Sequence, residues 1–215
     1  MTENAVIHKR FSTMVKVLYV LSYVPLTILI LGVLAVLAGI VIVPFIPLNL
    51  IEDRMTQMPI VGTYESTGLT LEITEAYLET ISLDQTAIML VLVSQFFYLI
   101  AVALILFFIN RWLHNLKHGD IFTLKNSRFI ELAGYTLMIF TIIDALAKLA
   151  VQNLMMQTFS VMEISAELNE QFTFSFDQLS LDFNLMILFS GVIIWILAKV
   201  FKYGAFLQEE YDATV

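Results

Sequence analysis

Residues Val17–Phe45 read VLYVLSYVPLTILILGVLAVLAGIVIVPF, and no charged side chain occurs from Val17 to Ile51. A bilayer core of about 30 Å takes roughly 20 apolar residues of α-helix, so this run predicts a transmembrane span. Pro44 and Pro47 predict its end near Phe45, because proline lacks the N–H that a continuing helix needs. Pro25 predicts a kink near its start, with the preceding residues lying along the membrane interface. The run is too long and too late to be a cleaved signal peptide, and no small-residue cleavage site follows it.

The rest of the chain has the same character. Of 215 residues, 59% are hydrophobic and 14% charged, against about 25% charged in a soluble domain. The mean hydropathy of +0.85 points the same way. There is no cysteine, which excludes disulfides, thiolate metal sites and a cysteine nucleophile. The net charge of −8 is informative only through where the charges lie.

Three further spans follow: about 87–112, about 130–151 and about 183–201. The third carries Asp144 and Lys148, and its remaining residues are mainly Leu, Ile, Met, Phe and Ala. The segments 1–16, 110–128 and 199–215 hold Lys9, Arg10, Lys16, Arg111, Lys117, Lys125, Arg128, Lys199 and Lys202, nine of the eleven basic residues. Loops 46–85 and 152–182 hold only Arg54. Positive residues are retained in the cytoplasm, so both termini and the inner loop 113–129 are expected inside. Trp112 and Trp195 then fall toward the inner ends of spans two and four, where an aromatic belt is expected.

The expected fold is therefore an all-α membrane protein: one four-helix transmembrane domain over residues 1–215, N-in and C-in. The outer loops hold twelve acids, from Glu52 to Asp84 and from Glu163 to Asp182. Leu69, Leu71 and Ile73 alternate with Thr70 and Glu72, and Phe172, Phe174 and Phe176 with Thr173 and Ser175. Period-two alternation is the signal of a half-buried strand. It predicts a small β-containing extracytoplasmic cap that pairs strands from both loops, since a lone hairpin is marginal in water. The segment EAYLETISL, 75–83, is an alternative short helix. The acids fit no Asp-x-Asp-x-Asp-Gly calcium loop, and their gathering follows from exclusion of the bases.

Asp144 and Lys148 are four residues apart on one helix face, acid first, the favourable order for an ion pair. Charged residues inside a span are functional candidates by default. A self-neutralising pair that orients span three is the structural alternative, and a proton or ion relay the functional one. Ser94, Gln95, Ser190 and Gly191, with Ala35 and Gly39 four residues apart, read as helix-packing features. His114 and His118 are also four apart, but no HExxH is formed, and no metal site is predicted. There is no Walker loop or GxGxxG fingerprint, so no cofactor is expected. No nucleophile or paired-acid constellation is present, and the chain is not expected to be an enzyme.

Leu116 to Asn126 follow the pattern L-x-x-G-x-x-F-T-x-x-N, and Thr123 or Asn126 is placed to cap the helix entering span three. Phe201 to Val215 follow F-x-x-G-x-x-L-Q-E-E-x-D-x-T-V. With four spans at this spacing, the chain resembles the bacterial "domain of unknown function 2975" (DUF2975) family of four-span membrane proteins. Ile121 stands where a small residue or proline is usual, and Ala213 where leucine is usual. The resemblance implies no enzymatic activity and carries over no active-site residues. It implies a multi-pass protein of the bacterial cytoplasmic membrane. Members tend to be encoded beside a small Cro/C1-type helix-turn-helix protein, which suggests a tether or inhibitor of a transcription factor.

The resulting expectation is a sensor or anchor in contact with membrane lipid. Its inner face, 114–126 and 201–215, would hold a cytoplasmic helix-turn-helix regulator, with no direct contact to nucleic acid. Gly119, Phe122, Thr123, Asn126, Gly204, Gln208, Glu209, Glu210 and Asp212 are the candidate partner-binding residues. The alternative is a small transport or immunity component, in the form of a homo-oligomer, that uses the Asp144/Lys148 pair.

Overall fold

The structure is a computed structural model and describes residues 3–49, 64–66, 69–71, 83–118, 121–158 and 181–214. In chain order its elements are α1 (Glu3–Leu21), α2 (Tyr23–Ile42), a 3-10 turn (Val43–Phe45), β1 (Tyr64–Ser66), β2 (Leu69–Leu71), α3 (Gln85–Lys117), α4 (Leu124–Thr158) and α5 (Leu185–Thr214). Among the described residues, four helical stretches are long and apolar enough to cross a membrane: Ser12–Phe45, Gln85–Lys117, Leu124–Gln157 and Leu185–Tyr211.

The helix ends follow from local chemistry. The first four N–H groups of a helix have no partner inside it, and a side-chain oxygen just before it satisfies one or two of them. Asp84 caps α3: its carboxylate accepts from Thr86 N at 3.1 Å and from Ala87 N at 3.2 Å. Thr123 caps α4, accepting from Asn126 N at 3.2 Å. Asn184 caps α5, accepting from Met186 N at 3.1 Å and Ile187 N at 3.3 Å. Span four thus begins at Leu185, two residues later than its apolar run.

Span one is interrupted at Ser22, between α1 and α2, three residues before Pro25. Proline has no N–H to offer the carbonyl four residues back, here Leu21, yet is tolerated in a helix's first turn. That is where α2 carries it. Ser22 Oγ donates to Tyr19 O at 2.7 Å, occupying another carbonyl at the break. At the far end Pro44 sits in the 3-10 turn, which closes with Ile46 N donating to Val43 O at 3.1 Å.

The chain divides into two compact units. The first comprises Met1–Leu37, Gln95–Ala145 and Asp182–Val215. Its interior is built from small residues, Ala101, Ala133, Ala145, Ala198 and Ala205, around Phe140, whose ring lies 4.9 Å from that of Tyr98. Small residues replace large ones at these crossings because helices in lipid gain from close backbone approach. The tightest approach joins α4 to α5. A Cβ on Gly134 would lie 2.9 Å from Trp195 N, and one on Gly191 would lie 3.0 Å from Gly134 O. The second unit comprises Ala38–Ser94 and Leu146–Leu181. Within it Gln85 Nε2 donates to Val43 O at 3.3 Å, Gly39 packs at ordinary contact distance on Leu92, and Ala87, Ala147 and Ala150 are buried.

β1 and β2 form an antiparallel ribbon with Tyr64 opposite Leu71, Glu65 opposite Thr70 and Ser66 opposite Leu69. The strand at Leu69–Leu71 pairs with Tyr64–Ser66 inside its own loop, and the loop-two half of the expected cap lies outside the described residues. A three-residue register is satisfied by the adjacent segment, with little loop to close. In loop two, Leu181 to Asn184 are irregular, and Phe172, Phe174 and Phe176 lie outside the described residues, as does most of the EAYLETISL segment.

Candidate functional site

The two segments that carry the family-like patterns meet in the first unit. The joint starts from Asn126, whose side chain is wholly buried. Its Oδ1 accepts from Asn115 Nδ2 at 2.6 Å, and its Nδ2 donates to Ile121 O at 3.1 Å. An amide can serve both sides at once because it carries a donor and an acceptor. The end of α3, the inner loop and the first turn of α4 are thereby tied together. One residue on, Ser127 Oγ donates to Ala198 O at 2.9 Å and fastens α4 to α5.

Phe122 completes the joint. Its ring centroid lies 5.3 Å from that of Phe201, and Phe201 in turn packs edge-on to Trp112 at 6.2 Å. A Cβ on Gly204 would stand 2.8 Å from Phe122 Cδ1, so the glycine is the seat of the ring. Of the nine candidate partner-binding residues, Phe122 and Gly204 thus hold the two segments to each other, while Thr123 and Asn126 order the first of them from within. Gln208, Glu209 and Glu210 are exposed on α5 beyond the joint, and Asp212 lies in the same helix. Gly119 lies outside the described residues.

A second cluster surrounds the break in span one. Asn110, itself buried, donates from Nδ2 to Ser22 Oγ at 2.7 Å. The hydroxyls of Tyr19 and Tyr23 are 2.5 Å apart, and His114 Nδ1 lies 3.1 Å from the Tyr19 hydroxyl. The His114 and His118 rings are 4.8 Å apart, and Lys117 Nζ sits 5.0 Å from the Tyr19 ring centroid. This set bolts α1 and α2 to the end of α3. Among the described residues no third His, Asp or Glu joins the two histidines as a metal-binding group.

A third cluster contains a residue that the sequence reading leaves out. Glu131 Oε1 takes the ammonium of Lys199 at 2.5 Å and lies 3.4 Å from the Tyr135 hydroxyl. Trp195 Nε1 donates to that hydroxyl at 3.0 Å, and Lys199 Nζ stands 5.0 Å from the Trp195 ring. Glu131 falls within the expected third span, about 130–151, and no motif singles it out. The signal that reveals it is Lys199, at matching depth in span four. Asp144 is buried in α4 at 8% exposure, and Lys148 is exposed one turn further along the helix.

In all three clusters polar side chains are engaged mainly with one another. Each cluster links residues on different helices, and joining helices is the work that the geometry shows. Fold and clusters define a small multi-pass membrane protein whose helices are locked together at one end. The chain belongs to the DUF2975 family, described as a protein of unknown function, whose profile matches residues 52–215. The family gives no sign of catalysis. No curated protein and no solved structure matches the chain.

Proposed function

We propose that the protein is a non-enzymatic anchor in the bacterial cytoplasmic membrane, with both termini inside, that holds a cytoplasmic helix-turn-helix regulator on its inner face. The observation that carries this reading is the joint of Phe122 with Gly204 and Phe201. It makes one surface of the inner loop and the end of α5, although they are far apart in sequence. Beyond the joint α5 runs on to Thr214, exposing Phe206, Leu207 and Tyr211 beside Gln208, Glu209 and Glu210. An apolar stripe edged with carboxylates suits a basic partner. DNA-binding proteins carry such surfaces, because they neutralise phosphates with Lys and Arg.

Orientation rests on the nine basic residues gathered on one side of the spans. In this reading loops 46–85 and 152–182, which hold only one basic residue, face outside and receive the signal. The test is a photo-crosslinking amino acid at Gln208 in native membranes, followed by mass spectrometry. The expected product is an adduct with a small DNA-binding protein, lost on Glu209→Lys/Glu210→Lys. Absence of any cytoplasmic adduct from both Gln208 and Phe122 contradicts the reading.

A second reading, a transport or immunity component, is favoured by one observation: the Asp144 carboxylate is buried within a span. It predicts that Asp144→Asn abolishes flux or resistance, while the anchor reading predicts that crosslinking at Gln208 survives.

A further inference from the structure

In the first unit α3, α4 and α5 enclose a hollow of about 250 Å³ lined by apolar side chains alone. One end is formed by Trp112, Phe129 and Phe201, the other by Ile105, Leu137 and Ile194. From Ile105 to Trp112 is about 10 Å along a helix. The two ends differ. Next in the chain to Phe129 and Phe201 stand Arg128 and Lys202, both exposed, while the Arg111 guanidinium lies over the Phe107 ring at 5.3 Å and Glu131, beside Ile130, is paired with Lys199. No charged residue adjoins Ile105, Leu137 or Ile194 in the sequence. The hollow is thus an apolar slot with basic residues next in the chain to one end only, in helices that are themselves apolar enough to cross a membrane.

Trp112 adds a second feature. Its Nε1 is buried without a hydrogen-bond partner. An indole N–H is only a donor, and a buried donor left unpaired is unfavourable. No hydrogen bond restrains the ring, so a turn of the indole offers the N–H to an acceptor entering at that end.

We propose that this slot binds an anionic glycerophospholipid. One acyl chain fills the hollow toward Ile105, Leu137 and Ile194. The phosphate faces Arg128 and Lys202, and an ester carbonyl lies within reach of the turned Trp112 N–H. A neutral lipid fills the slot but leaves Arg128 and Lys202 uncompensated. The inference rests on the chain spanning a membrane and not on its holding a regulator.

The chain has two tryptophans, so Trp195→Phe leaves Trp112 as the only emitter. The full chain with that substitution is reconstituted in phosphatidylcholine vesicles, with acyl-brominated phosphatidylglycerol or acyl-brominated phosphatidylcholine added in steps. Bromine quenches an indole only at close range. Each basic residue near an anionic surface contributes about 1 kcal/mol, a factor of about five. Quenching by the brominated phosphatidylglycerol is therefore expected to reach half its limit at a mole fraction at least about fivefold lower. Ala133→Leu, which fills the slot, is expected to abolish the difference. If that variant does not fold, Arg128→Gln/Lys202→Gln, both at exposed positions, decides: the preference falls while quenching by the two lipids converges. Equal quenching by both lipids in the parent overturns the proposal, as does a preference unchanged by whichever of these variants folds.

Discussion

Gly134 and Gly191 stand where even a methyl group has no room. A methyl group at either would lie about 3 Å from backbone atoms of the facing helix, and backbone cannot turn aside as a side-chain end can. Overpacking of this kind costs about 1–3 kcal/mol. Gly134→Ala and Gly191→Ala are each expected to lower stability by that amount in detergent unfolding followed by circular dichroism. Gly39→Ala is expected to be nearly neutral, since its Cβ would meet Leu92 at 3.5 Å, an ordinary contact. The sequence marks Gly191 and Gly39 alike as packing residues, and only the crossing geometry separates them. Asn126→Ala leaves the Asn115 amide and the Ile121 carbonyl without their partner, and buried groups so stranded cost about 1–3 kcal/mol. The expected loss falls in that range. A loss below a few tenths of a kcal/mol would mean that the two groups are satisfied elsewhere.

At the scale of the helix, the caps and the break in span one are the parts open to test. Asp84→Ala, Thr123→Ala and Asn184→Ala each remove the oxygen that serves the first turn of α3, α4 or α5. Each is expected to cost about 1 kcal/mol. Asn110→Leu frees Ser22 from α3 and is expected to speed amide hydrogen exchange from Ser22 to Leu26, while the middle of α3 stays protected. Uniform acceleration along α3 would contradict the role given to Asn110. The spans themselves are legible in the sequence, because runs without charge longer than a bilayer crossing have few other uses. Pro25 announces an interruption, but its position at Ser22 depends on which carbonyls lose a donor and which side chain takes one up.

At the scale of the molecule, the joint between the inner loop and the end of α5 is what the sequence does not disclose. Phe122 and Gly204 lie in different segments, and nothing in either pattern names the other as its counterpart. The ribbon teaches the converse lesson. Alternation at Leu69–Leu71 announces a strand, yet alternation is silent on the partner, which turns out to be Tyr64–Ser66. Glu131 is overlooked for a related reason: an acid at a span's edge gains meaning only beside Lys199. The anchor reading depends on which side of the membrane the joint faces. The charge distribution argues for the cytoplasmic side, and the absence of cysteine from the sequence makes this directly measurable. Single cysteines are introduced at Gln208 and at Thr173, and intact cells are treated with a membrane-impermeant maleimide before and after permeabilisation. The account predicts that Thr173→Cys is labelled in intact cells and Gln208→Cys only once the membrane is opened. Labelling of Gln208→Cys from outside, with Thr173→Cys protected, would contradict it.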